Sequence, residues 1–204
     1  MINLWQAHIS FAMIIFLLLP SFGLKSTVRI LLLLALLALG LVPLDGLSLA
    51  AYLRSHIDDL AVTTLLFLAW GCLRRLGYVP PAPIDKTRVL IIFASMALLL
   101  YPATLGLTYL DPYRFGFSPR PMVIVVGLLT AGLFYLRNYL AVLMLAIATL
   151  AFIAGVKPSH NYWDYLVDPL LGLYCSAALL MLAVRRTYGW LNPLRGSVSD
   201  SGPV

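Results

Sequence analysis

Charge is scarce in this 204-residue chain, and one kind of it is missing: there is no glutamate, and charged residues make up only 11% of the whole. A water-soluble domain carries about 25% charged residues, so the chain has too few to cover a water-facing globule. Cysteine is nearly absent too. Cys72 and Cys175 lie far apart inside apolar stretches, which excludes a disulfide framework and a zinc knuckle and leaves two small buried hydrophobes. Common catalytic signatures are also lacking, since no P-loop, G-x-S-x-G, H-E-x-x-H or C-x-x-C occurs. The first residues lack the basic stretch and A-x-A site of a cleavable secretory signal, so the first apolar segment reads as a retained helix.

What is present is apolar. Hydrophobic residues reach 62%, and the mean hydropathy is +0.95. Runs such as 30–44 and 122–136 would need burial on every side in a soluble fold, and so short a chain has little core in which to bury them. These features predict an all-α, polytopic membrane bundle in which lipid does the covering. Because a span of about 30 Å needs roughly 20 apolar residues, seven candidates stand out. They are Leu4–Leu24, Thr27–Leu44, Asp59–Leu73, Val89–Leu110, Pro121–Leu136, Tyr139–Val156 and Pro169–Val184. Several fall short of a full span and require flanking residues or a thinned bilayer. Ser48 is placed to cap a helix, either as the start of a long third segment or of a separate interfacial helix over Leu47–His56. Residues 1–190 read as one transmembrane domain and 191–204 as a short disordered cytoplasmic tail. The proline-rich stretch 77–83 reads as an extended spacer.

Orientation follows from the basic residues. Ten fall on alternate connections that include Lys25, Arg74, Arg75, Lys86 and Arg137, and only Arg54, Arg114, Arg120 and Lys157 fall on the others. This bias puts the N-terminus outside and the C-terminus in the cytoplasm, in a bacterial inner membrane. With that orientation the outer side holds six of the eight aspartates and every histidine. The net charge of +6 comes from basic residues paired beside apolar segments, not from a patch, which argues against nucleic acid.

Polar chemistry is therefore expected at the outer face. His160, Asp164 and Asp168 are spaced as one helix face would space them, a pattern able to hold a cation or perform acid/base work. Pro169 opposes a continuous helix there and favours Asp168 as the N-cap of the last helix, a role that asparagine or serine would also fill. His56, Asp58 and Asp59 form a second group, with Arg54 placed to pair with Asp58. In the loop 110–121, Arg114 and Arg120 are suited to clamp a phosphate or a carboxylate, or to pair with Asp58, Asp59 or Asp164. No metal, cofactor or assigned catalytic residue is expected from these residues.

The membrane interior lacks Lys, Arg, Asp and Glu in every expected span, which weakens ion-coupled transport. The expectation is a non-catalytic accessory or scaffolding subunit of an envelope assembly or lipid and polysaccharide export system, with membrane lipids and a membrane protein as partners. An intramembrane enzyme acting on a lipid-linked substrate at the outer leaflet is the alternative, and a small transporter or flippase the third reading.

Overall fold

The computed structural model describes residues 4–20, 23–79 and 86–191, with the side chains of 4 and 189–191 left aside. The expected tail and most of the proline-rich spacer lie outside the described residues. Helices dominate: α1 (Leu4–Leu18), α2 (Ser26–Gly40), α3 (Leu49–Ile57), α4 (Val62–Leu76), α5 (Lys86–Thr104), α6 (Pro112–Phe115), α7 (Pro119–Tyr135), α8 (Tyr139–Ile153), α9 (Trp163–Leu166) and α10 (Pro169–Leu191). A two-stranded antiparallel hairpin, β1 (Pro43–Leu44) and β2 (Leu47–Ser48), separates α2 from α3. Its turn is Asp45-Gly46, both at positive φ, the conformation this dipeptide favours.

The seven long helices follow the seven expected apolar segments in order, but several are shorter than those segments. Leucine-rich sequence does not by itself continue a helix: α2 stops at Gly40 because Pro43 and Asp45-Gly46 redirect the chain into the hairpin. Among the described residues only α5 and α10 are long and apolar enough to cross a membrane. The fifteen-residue helices α1, α2, α4 and α8 extend only about 22 Å at 1.5 Å per residue. Helix length alone therefore supports two crossings, not seven. Ser48 does cap a separate helix: its hydroxyl accepts the Ala51 amide at 3.2 Å, and α3 ends before α4 begins.

Packing divides the core in two. Phe16, Ala12 and Met13 of α1 meet Leu36 of α2 and Cys72 and Leu76 of α4 in the first cluster. The second joins α5, α7, α8, α9 and α10 around Phe93, Ala97, Met144, Leu145, Tyr162 and Tyr165. Helix α4 contacts both α1 and α8 and so connects the halves. Helices α5 and α10 pack closest where Gly172 faces Ala97, since a Cβ on Gly172 would stand 2.7 Å from that of Ala97. Gly40 and Gly71 lie at similar approaches, against Phe11 and Leu17. Gly127 and Gly132, by contrast, face open space. Outward surfaces are apolar as well, with Leu98 and Leu99 on α5, Ile124 and Leu128 on α7, and Leu173 and Leu180 on α10 all exposed.

Candidate functional site

At one end of the bundle the helix starts and two loops enclose a polar cavity of about 510 Å³. Four carboxylates line it: Asp58, Asp59, Asp164 and Asp168. His56, Lys157, Ser159, Tyr101 and Tyr113 complete its polar wall.

Each group is there for a local reason. Helix α3 ends in Asp58, whose backbone sits at φ 57° and ψ −167°, a conformation that glycine adopts far more readily than aspartate. One Asp58 oxygen accepts the Asp59 amide at 2.8 Å. Asp59 forms a two-pronged ion pair with Arg54, at 2.7 Å on each carboxylate oxygen. The expected partner of Arg54 was Asp58; the reversed φ turns Asp59 back onto the last turns of α3 in its place. His56 Nδ1 lies 2.9 Å from the Tyr52 carbonyl, so that nitrogen donates and Nε2 is the acceptor in the neutral ring.

Asp168 is buried and does two jobs. Its Oδ1 accepts the Leu171 amide at 2.8 Å and caps α10, as expected. Its Oδ2 accepts the Ala61 amide at 2.7 Å, fastening the start of α4 to the start of α10. Thr63 adds a second link between these regions by donating to the Leu166 carbonyl at 2.7 Å.

In the sequence Lys157 is only one basic residue on an outer connection. In the fold its Nζ donates to the carbonyls of Asp59 (2.9 Å), Leu60 (3.2 Å) and Asp164 (2.9 Å), joining three segments at one ammonium. Burial pushes its pKa down, opposed by the surrounding charges of Asp164, Asp59, Asp168 and Asp58. Asp164 accepts from the Tyr113 hydroxyl at 3.2 and 3.3 Å and from the Ser159 hydroxyl. Burial, then the Asp164 charge, holds the Tyr113 phenol above its ordinary pKa, so at neutral pH it stays a donor.

The loop around α6 is docked rather than loose. Asn161, fully buried, donates to the Tyr113 carbonyl at 3.0 Å, and Trp163 Nε1 donates to the Pro112 carbonyl at 2.9 Å. The Tyr162 amide donates to the Gly116 carbonyl at 3.1 Å. Only glycine fits at 116, because a Cβ there would stand 1.8 Å from Asn161 Oδ1.

Of the seven outer-face residues singled out from the sequence, His56, Asp58, Asp59 and Asp164 line the cavity. Arg114, Arg120 and His160 do not: all three are exposed, and neither arginine has an ion-pair partner among the described residues. The expected loop pairing with Asp58, Asp59 or Asp164 is therefore absent there, because backbone and aromatic contacts hold this loop instead of its arginines. His160 and Asp164 do not share a helix face with Asp168, since α9 spans only four residues and Pro169 opens a new helix. Among the described residues no group of three His, Cys, Asp or Glu side chains is arranged to hold a metal ion. Tyr113, Ser159 and Lys157 carry no motif that sequence reasoning could find, because each acts through a fold contact. Compared with protein-family models, curated proteins and solved structures, the chain matches none of them.

Proposed function

We propose that the chain is a multi-spanning membrane protein that binds, without transforming, a cationic or polyhydroxylated group at its outer face, as an accessory subunit of an envelope assembly or export system. The observation that carries this reading is the makeup of the cavity. Four carboxylates face one lysine and a histidine, and every one of those carboxylates accepts hydrogen bonds from the protein's own frame. Groups held so firmly suit recognition better than proton transfer, which needs a free lone pair within reach of substrate. Asp58 projects from a strained backbone, a feature that clusters at binding sites. An ammonium is the fitting ligand, with Tyr101 and Tyr113 beside the acids to receive hydroxyls or a cation's face.

Membrane insertion is supported by surface as well as composition. Within their apolar windows α5 is 33% buried and α10 17% buried, whereas the core helix of a soluble protein is mostly covered. Seven spans, N-terminus outside, follow if the shorter helices cross a locally thinned bilayer. Such a small bundle, with exposed apolar flanks on α5, α7 and α10, also suits a membrane protein partner.

Thermal unfolding of the purified protein in lipid nanodiscs tests the ligand class. Glucosamine should raise the midpoint and glucose should do so much less, while Asp58→Asn removes the difference. Equal responses to both sugars would refute a site for ammonium groups. The alternative of an enzyme on a lipid-linked substrate is favoured by one feature, the chain of Ser159, Asp164 and Tyr113 hydroxyl-to-carboxylate bonds on the cavity wall. If Asp164→Asn keeps glucosamine binding but abolishes a turnover measured in membranes, the enzyme reading replaces the binding one.

A further inference from the structure

A second cavity, of about 600 Å³, opens between α1, α4 and α10, away from the acidic site. Its walls are apolar: Ile14 and Leu17 of α1, Phe67 and Leu68 of α4, and Leu171 and Tyr174 of α10. Its other end is cationic. Arg74 and Arg75 from the last turn of α4 meet Lys86 from the first turn of α5, and among the described residues no carboxylate lines the cavity.

The three cations differ in what they can offer. Arg75 donates to the carbonyls of Phe16 and Pro20 and lies over the Phe16 ring, so it is fixed to α1 and contributes mainly its field. Arg74 rests over the Trp70 ring at 4.9 Å, a contact that orients the guanidinium and consumes none of its N–H donors. Lys86 is exposed at the mouth. From Thr64 to Arg74 along α4 the groove runs about 15 Å, half of a hydrocarbon core about 30 Å thick. The shape is thus an apolar channel one leaflet deep with a positive entrance.

We propose that this groove holds an acyl chain of an anionic phospholipid, its phosphate bound by Arg74 and Lys86. The inference rests on the membrane reading above, and the basic bias puts this end on the cytoplasmic side. Charge complementarity selects the occupant. A free phosphate would leave the apolar walls wet, and a wholly apolar helix would bury three cations without a counter-charge.

Native mass spectrometry of the detergent-purified protein, offered equal amounts of phosphatidylglycerol and phosphatidylcholine with the same chains, tests it. Wild-type protein should retain phosphatidylglycerol preferentially. Arg74→Gln with Lys86→Gln should lose that preference, by roughly fivefold for each cation, and Arg74→Lys should recover part of it. Leu68→Trp, which fills the channel, should reduce retention of the lipid, with an unchanged elution volume and melting midpoint showing that each variant is folded. Equal retention of both lipids by the wild type overturns the proposal, as does full displacement of phosphatidylglycerol by glycerol 3-phosphate, which would mark a soluble-phosphate site. Carbonate washing of membranes separates the two failures. A chain stripped by carbonate sinks the membrane reading and the groove together, whereas a chain that stays but shows no lipid preference sinks the groove alone.

Discussion

Single residues carry opposite stakes in this protein. Asp58 occupies a backbone conformation that costs an aspartate about 1–3 kcal/mol relative to glycine. Asp58→Gly should therefore raise the melting midpoint while eliminating the response to glucosamine; a lower midpoint would mean that the Asp58 carboxylate stabilises more than its backbone strains. Thr64 is the converse case, a buried hydroxyl without a hydrogen-bond partner among the described residues. Thr64→Val removes an unsatisfied polar atom, so denaturant unfolding should show equal or greater stability, by up to about 1 kcal/mol. Asp168 demands more than the sequence implied. A simple N-cap tolerates asparagine, but here both oxygens accept backbone amides, and an amide side chain would set an NH₂ against one of those donors. Asp168→Asn should lose about 2 kcal/mol and Asp168→Ala about 3 kcal/mol, read from the same unfolding curves.

Between elements, stability depends on close approach. The α6 loop lies on the 161–163 segment only because residue 116 has no side chain, so Gly116→Ala should release it. Limited proteolysis should then cut between 110 and 118 while sparing the wild type there, and the Tyr113 bond to Asp164 should be lost with it. The α5–α10 contact at Gly172 and Ala97 is the equivalent between long helices, where a small residue lets the two backbones approach. Other features were less legible. Helix order, the Ser48 and Asp168 caps and the gathering of aspartates at one end obey local rules of capping and patterning, which the sequence displays directly. The Asp45-Gly46 hairpin is equally local, yet its first strand, Pro43–Leu44, lies within the leucine-rich run that reads as the second helix to Leu44. The Arg54–Asp59 pair depends on a reversed backbone at Asp58 that residue spacing does not report. Lys157 and Tyr113 belong to a different category, since their partners lie on segments distant in sequence, brought near only by the complete fold.

For the whole molecule, insertion has a direct test, because Cys72 and Cys175 are buried and free. Exposed Ser55 and Tyr78 lie toward opposite ends of the bundle, beside the acidic cavity and just beyond α4. A membrane-impermeant maleimide should label Ser55→Cys in intact cells and Tyr78→Cys only after permeabilisation. The reverse pattern would invert the orientation, and labelling of both in intact cells would refute a spanning bundle. The double attachment at Asp168 also has an electrical meaning. Helices α4 and α10 both begin at that carboxylate, and a helix start carries about half a positive charge in its aligned peptide dipoles. The two partial charges together offset about one full negative charge, so the cavity is less acidic than its four aspartates suggest. Without the Asp168 carboxylate, those two helix starts would face the cavity with no charge of their own to offset them, and the same cup would become less selective for cations.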